Sequence, residues 1–216
     1  FKGGPAFSPT GIGVNFPAGS DIFASRISKD GTNLLASTFI GGTGNDGLNI
    51  ATELKYNYAD EVRGEIDIDK NNNVFIATST NSTDFPIKNG FQSVLKGSQE
   101  GCILKIDNQL SSIIWSSYLG GLNEDAIYSL ALDESNNIYV TGGTNSEDFP
   151  TTTNAYLNTI QSVDKADAFV SKIDSDGNNI ISSSYYGSNQ YDQSYFVEIG
   201  SNDNIYLLGQ TKANGT

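Results

Sequence analysis

The 216-residue chain has a mass of 23.1 kDa, enough for one or two domains with a core of their own. Twenty-five Asp and Glu against twelve Lys and Arg give a formal net charge of −13, which excludes nucleic acid as a partner and makes an anionic lipid surface a poor one, because both require a basic face. The sequence has no histidine and one cysteine, Cys102, so a Ser-His-Asp triad, a His-containing zinc site and an intrachain disulfide are all excluded.

Residues 1–20 carry no repeat and are expected to be a linker or the end of a preceding unit. A start at Phe1 without an initiator Met or signal peptide is expected of a processed or excised piece. No apolar run approaches the ~18 residues of a membrane span. From Asp21 the chain repeats itself. DIFASRISKDGTNLLASTFIGGTGND (21–46) returns as EGCILKIDNQLSSIIWSSYLGGLNED (100–125) and as DAFVSKIDSDGNNIISSSYYGSNQYD (167–192). Ile27, Ile106 and Ile173 recur at offsets of 79 and 67, and Gly41, Gly120 and Gly187 keep those offsets, as do Asp46, Asp125 and Asp192. A second unit alternates with the first: IDIDKNNNVFIATSTNSTDFP (66–86), LALDESNNIYVTGGTNSEDFP (130–150) and VEIGSNDNIYLLGQT (197–211). Its offsets are 64 and 67, so 15 extra residues lie between Asp46 and Ile66. The inserted ATELKYNYADEV is expected to form one or two helical turns.

Each unit reads as a β-hairpin. Ile, Val, Tyr, Phe and Thr fill the flanks, as strands prefer. Asp, Asn and Gly fill the turns, where positive φ is demanded. Two hairpins per period of ~65 residues make four antiparallel strands per repeat, and that unit repeated radially is a β-propeller blade. The reading is therefore all-β: a half-blade at 21–42, repeats at 64–120 and 126–187, a half-blade at 195–211 and a truncated tail at 212–216. That is roughly three blades' worth. Because propellers close with four to eight blades, the segment is expected to be part of a larger ring.

STFIGGTGND, SSYLGGLNEDAIYSLALDESNNIYVTGGTNSEDFPTTTNAY and DAFVSKIDSDG resemble the bacterial SBBP-type β-propeller repeat. The resemblance covers most of residues 21–211 and is strongest in the middle copy; the last copy departs at Gly187-Ser188, where Gly-Gly is expected. It implies a secreted or cell-surface protein of the kind found in gliding, type IX-secreting bacteria, with no defined enzymatic activity.

Several residues are candidates for a role. The recurring Asp46, Asp125 and Asp192 either converge as carboxylates near a central channel or lock adjacent blades, and Gly41, Gly120 and Gly187 belong to the same signature. Phe85 and Phe149, in the Asp-Phe-Pro loops, either wedge between blades or touch a ligand. Trp115 matches Ala36 and Ser182, and an unshared aromatic is either core packing or a carbohydrate or protein contact. Asp69, Asn71 and Asn73 resemble the start of a calcium loop, although a hairpin turn explains the same composition. Cys102 matches Phe23 and Phe169 and is expected to be a buried, inert thiol. Asn81-Ser82-Thr83 and Asn214-Gly215-Thr216 are formal glycosylation sequons, expected to be incidental in a bacterial surface protein.

The longer connections, 46–64, 81–99 and 145–165, are expected on the face opposite the tight turns, where binding would concentrate. The functional expectation is a non-catalytic scaffold of a large secreted or surface-exposed bacterial protein. It would need no cofactor and would insert into no membrane. Its partners would be protein or glycan at the extracellular surface, including outer-membrane secretion or motility machinery. A glycan-binding or glycan-cleaving propeller is the alternative.

Overall fold

The computed structural model describes residues 19–57, 59–162 and 166–213; most of 1–20, the second sequon and part of the tail lie outside them. Twelve strands are present among these residues: β1 (Ile22–Ile27), β2 (Leu34–Ile40), β3 (Glu65–Ile68), β4 (Val74–Thr80), β5 (Glu100–Ile106), β6 (Ile113–Leu119), β7 (Asp125–Leu132), β8 (Ile138–Thr144), β9 (Asp167–Ile173), β10 (Ile180–Tyr186), β11 (Asp192–Ile199) and β12 (Ile205–Thr211). The insertion forms only two three-residue 3-10 helices, Thr52–Leu54 and Asp60–Val62.

The strands form two complete four-stranded antiparallel meanders, β3-β4-β5-β6 and β7-β8-β9-β10, flanked by the two-stranded sheets β1-β2 and β11-β12. The first strands gather at a hub. β7 packs against β3 and β4 of the blade before it and against β11 of the unit after it. The amide of Leu130 on β7 donates to Glu65 Oε2 on β3 at 3.0 Å, and the amide of Val197 on β11 donates to Ser129 Oγ on β7 at 3.1 Å. The described residues thus form an arc of blades about one axis, with the ring left open.

The tight turns are built on carboxylates. Asp69 Oδ1 accepts the amides of Asn71 and Asn73 at 2.8 and 2.9 Å, and Asp133 Oδ1 accepts those of Ser135 and Asn137 at 2.9 and 2.8 Å. Asn72 and Asn136 then take φ of 62° and 61°, which Asn tolerates better than most residues. Lys105 and Lys172, one strand over, close ion pairs to Asp69 and Asp133 at 3.5 and 3.1 Å. The Asp69–Asn71–Asn73 run is therefore a hairpin turn whose carboxylate is spent on N–H donors and a lysine, not a cation loop.

Sheet faces stack to make the core. One apolar cluster joins β4, β5 and β6 to the next blade through Phe75, Ile103, Trp115, Leu119, Ile127, Val140, Phe149 and Phe169. A second joins β1 and β2 to β4–β6 through Ala24, Ile40, Phe85, Cys102, Leu104, Leu110 and Tyr118. Cys102 is fully buried, and desolvation holds its thiol well above the usual range, so it behaves as a small apolar side chain.

Two of the long connections pack along their own blades. Residues 81–99 turn and run along β6, where Lys88 and Ser116 exchange backbone hydrogen bonds of 3.3 and 2.8 Å and Tyr118 donates to Gln92 at 3.1 Å. Residues 145–162 do the same along β10, through Thr152–Ser183 and Leu157–Tyr185 bonds of 3.0 Å each. Each loop thereby covers the outermost strand of its own blade, an edge that would otherwise invite pairing with another chain.

Trp115 is 2% exposed. Its ring lies against the β9–β10 turn of the next blade, and its Nε1 donates to Ser175 O at 3.1 Å. Gly177, in that turn, has φ 70°, and a Cβ there would sit 2.3 Å from the indole. Gly177→Ala is expected to destabilise the protein by about 1–3 kcal/mol, from positive-φ strain and overpacking. Trp115 is the sole tryptophan, so urea unfolding followed by its emission reads this junction directly. The same substitution in a Trp115→Ala background, where unfolding is followed by circular dichroism instead, is expected to cost less, since the clash is gone.

Candidate functional site

The recurring aspartates lie where one blade crosses to the next. Asp46 Oδ2 accepts the Gly42 amide and the Ser82 hydroxyl, both at 2.8 Å, and its other oxygen accepts the Thr80 hydroxyl. Asp125 Oδ2 accepts the Gly121 amide at 2.8 Å and the Ser146 hydroxyl at 3.0 Å. Asp192 Oδ2 accepts the Ser188 amide at 2.6 Å and the Ser188 hydroxyl at 2.8 Å.

The neighbouring amides are held from the following blade. Thr43 donates to Asp84 Oδ1 at 2.8 Å, Gly44 to Ser82 Oγ at 2.8 Å and Asn45 to Asn81 Oδ1 at 2.5 Å. One repeat later, Leu122 donates to Asp148 Oδ1 at 2.7 Å, Asn123 to Ser146 Oγ at 3.0 Å and Glu124 to Asn145 Oδ1 at 2.8 Å. Four consecutive crossover amides thus bond to four side chains, twice over. In the sequence Asn81-Ser82 reads only as part of an incidental sequon, although Asn81-Ser82 and Asn145-Ser146 stand in register in the repeated text. After β12 the corresponding residues are Lys212 and Ala213, neither of which offers a side-chain oxygen.

The crossover glycines fit between carboxylates. A Cβ on Gly41 would lie 2.3 Å from Asp21 Oδ1 and 2.8 Å from Asp46 Oδ2. Gly120 stands likewise between Glu100 and Asp125, and Gly187 between Asp167 and Asp192. Each crossover therefore holds a pair of acids. Glu100 is satisfied by the Lys96 and Gly97 amides at 2.7 and 3.2 Å and by Gln92 Nε2 at 2.5 Å, and Asp167 by the Gln161 and Ser162 amides at 2.6 and 3.1 Å.

Burial dominates the electrostatics of these groups. Desolvation raises Asp125 to about 8, with Glu100 adding repulsion, and raises Asp167 to about 6, with Asp192 adding repulsion. Desolvation also raises Asp46 and Glu100. Turn carboxylates move the other way: burial opposes ionisation of Asp69 and Asp133, but hydrogen bonds from Asn73 and Asn137 and the charges of Lys105 and Lys172 outweigh it.

The insertion is drawn into the hub. Leu54 is fully buried beside Tyr128, Tyr191 and Tyr195. Its carbonyl accepts from Asn49 Nδ2, Tyr128 Oη and Gln193 Nε2 at 3.1, 2.8 and 2.9 Å. Gln99 Nε2 donates to Asn49 Oδ1 at 2.8 Å. Asp60, also buried, accepts the Tyr56 and Asn57 amides at 2.9 and 2.8 Å and pairs with Arg63 Nε at 3.0 Å. The Arg63 guanidinium lies 4.0 Å from the Tyr195 ring centroid. Tyr128 and Tyr195 occupy equivalent positions, both at bulges of the inner strands; bulges re-aim side chains, here toward Leu54 of the insertion. The first copy has Gly64 at that place, a difference between copies that could have flagged the hub in the sequence.

Phe85 and Phe149 are buried between blades, with ring centroids 6.2 Å from Tyr118 and 4.4 Å from Phe169. Together with Trp115, all three candidate ligand contacts therefore lie inside the protein. Trp115, a carbohydrate-contact candidate on the sequence, is instead the floor under a neighbouring turn. Among the described residues no group of three His, Cys, Asp or Glu side chains is placed to hold a metal ion, and no helix is long and apolar enough to cross a membrane.

Four-stranded antiparallel meanders packed face to face, with their first strands gathered at one hub, define a β-propeller repeat protein. Residues 114–150 match the family model of the SBBP beta-propeller repeat. The matched stretch runs from β6 through one complete crossover, including Gly120, Asp125, Asn145, Ser146 and Asp148. No curated protein matches the chain.

Protonation at the crossovers is expected to set the pH profile. A carboxyl raised in the folded state contributes stability that is fully present below its unfolded pKa and lost as pH rises through its folded one. Asp125 and Asp167 lose it progressively as pH rises from the usual carboxylate range, Asp167 until about pH 6 and Asp125 until about pH 8, while Asp69 and Asp133 lose their contribution only when acid protonates them, below the usual carboxylate range. The melting temperature is therefore expected to rise on acidification from pH 8 to about 4 and then fall. Asp125→Asn, which mimics the protonated acid, is expected to flatten the upper limb, as melts across pH would record. Leu54→Ala is expected to cost about 2–5 kcal/mol, since it empties a fully buried site; chemical denaturation measures it.

Proposed function

We propose that this chain is a non-catalytic propeller segment of a large secreted or surface-exposed bacterial protein. It serves as a rigid scaffold for adhesion or protein contact, in a gliding-motility or type IX secretion setting. The observation that carries the non-catalytic reading is the fate of the recurring carboxylates. A glycosidase needs two carboxyl groups facing each other across a pocket at ~5–10 Å. Asp46, Asp125 and Asp192 are buried and bound to crossover amides and hydroxyls. The buried aromatics Trp115, Phe85 and Phe149 leave the glycan-binding alternative without the platform it required.

The contact surface in this reading is the covering loops. Val94, Leu122 and Tyr156 stand exposed on them and on the crossover, supported by a framework that fixes the backbone beneath. A net charge of −13 suits an extracellular, salt-bathed surface, and protein or glycan at the cell exterior is the partner class.

Protease added to intact cells of the source bacterium is expected to degrade the chain while a cytoplasmic control survives. A chain protected until lysis would refute surface display. Incubation with a glycan panel is expected to release no sugar; hydrolysis abolished by Asp125→Asn would refute the non-catalytic reading.

A further inference from the structure

The loop that covers β6 carries the only Asn-Gly couplet among the described residues, Asn89-Gly90, and the fold imposes both members. Asn89 stands at φ 53°, a left-handed conformation that Asn holds more easily than most side chains. Gly90 passes so close to β6 that a Cβ would lie 2.2 Å from Ser116 O and 2.6 Å from Ser117 Cβ, so no larger residue fits. The covering loop of β10 is one residue longer at this place. Its anchors Thr152 and Leu157 are five residues apart, whereas Lys88 and Gln92 are four apart, and it reads Thr153-Asn154-Ala155 there, with no such couplet.

An Asn followed by Gly is chemically labile, because the unhindered Gly amide can reach the Asn carboxamide. The structure separates this couplet from its relatives. Asn81 and Asn145, each followed by Ser, have their carboxamides engaged by the Asn45 and Glu124 amides at 2.5 and 2.8 Å. Gly31, Gly47 and Gly177, each preceded by Asp, donate their amides to the carbonyls of Ser28, Ser79 and Asp174 at 2.8, 2.9 and 3.0 Å. Asn89 is exposed and its carboxamide bonds to no described residue. The facing Ser116 exchanges its backbone hydrogen bonds with Lys88 rather than with Gly90.

We propose that Asn89-Gly90 is a self-modification site: in the folded protein it loses ammonia and becomes a carboxylate, without unfolding the blade. The Gly90 nitrogen gives its proton to solvent base and attacks Asn89 Cγ. The new N–C bond closes a cyclic imide as the Cγ–Nδ2 bond breaks and Nδ2 leaves as ammonia, taking up a proton. Water then opens the imide at either carbonyl, giving aspartate or, where the main chain is left running through Cβ, isoaspartate. The net change is one water consumed and one ammonia released. Ring closure turns the Asn89 carbonyl out of its present orientation, which needs only local opening of this loop. The iso-linked product has one more main-chain carbon between the Lys88 and Gln92 anchors, less than the extra residue that the loop on β10 accommodates. The new carboxylate lies on a groove of about 510 Å³ shared with Asp176 and Asn178 of the next blade, so the charge of the rim changes with time. This chemistry holds whatever the covering loops bind.

Trypsin releases residues 89–96, in which Asn89 is the sole asparagine; Asn214-Gly215, outside the described residues, falls in another peptide. The folded chain held in mildly alkaline buffer is expected to convert 89–96 to its acid form, and an isoaspartate methyltransferase is expected to label it. The rate is expected to lie within about tenfold of that in the urea-unfolded chain, because exposed loops open at little cost. Peptides bearing Asn81 and Asn145 are expected to convert in urea only. A peptide 89–96 that stays intact in the folded chain while it converts in urea overturns the proposal. So does a converted protein that has lost its cooperative unfolding transition. Asn89→Gln, whose longer side chain would have to close a larger ring, is expected to abolish labelling of 89–96; labelling that persists overturns the imide route.

Discussion

The crossover between blades is the constraint on which the rest of this structure depends. The backbone there leaves one sheet and enters another, so its N–H groups have no strand to pair with, and a buried amide without a partner costs as much as a lost hydrogen bond. Asp46, Ser82, Asn81 and Asp84 meet that demand in one place, and Asp125, Ser146, Asn145 and Asp148 in the next. Because the first acid pairs with the end of the second strand, Asp46 with Thr80 and Asp125 with Thr144, and the other three side chains follow that strand, the crossover is tied to the blade it enters. Glycines that leave no room for a Cβ and acids that lie deep enough to hold their protons both follow from this arrangement.

Between the crossovers, sheets meet through side chains of complementary size. Trp115 faces Gly177 across one junction. Across the previous one the equivalent residues are Ala36 and Leu110, both in the cluster that joins those sheets. Large meets small in each case, with the order reversed. Leu110 adopts φ 55° where the other copies have glycine, a strain that its burial offsets. Packing thus explains two departures from the repeat, the unshared Trp and the left-handed Leu, that would look arbitrary in either blade alone.

The architecture was legible because it rests on local, repeated chemistry. Alternating apolar flanks, Asx turns and a fixed offset between Gly41, Gly120 and Gly187 are enough to define four-stranded blades. What was not legible depends on partners far apart in the chain. The covering loops look like free connections until Lys88 is seen bonded to Ser116 and Leu157 to Tyr185. The insertion looks like a surface decoration with helical turns until Leu54 meets Tyr128 and Gln193, 74 and 139 residues away. Asp69 carries the spacing of a cation loop, and only the position of Lys105 on an adjacent strand reveals how its charge is answered.

The reciprocal fit of Trp115 with Gly177 and of Ala36 with Leu110 has an evolutionary corollary. Near-identical repeats invite duplication and shuffling, yet these junctions are not interchangeable. Moving the blade that ends in Trp115 next to the turn bearing Leu110 would set two bulky groups in one space, and the reciprocal exchange would leave a void. The succession of modules is therefore written into their flanks, and gene rearrangements that scramble it would be selected against even where every module stays intact.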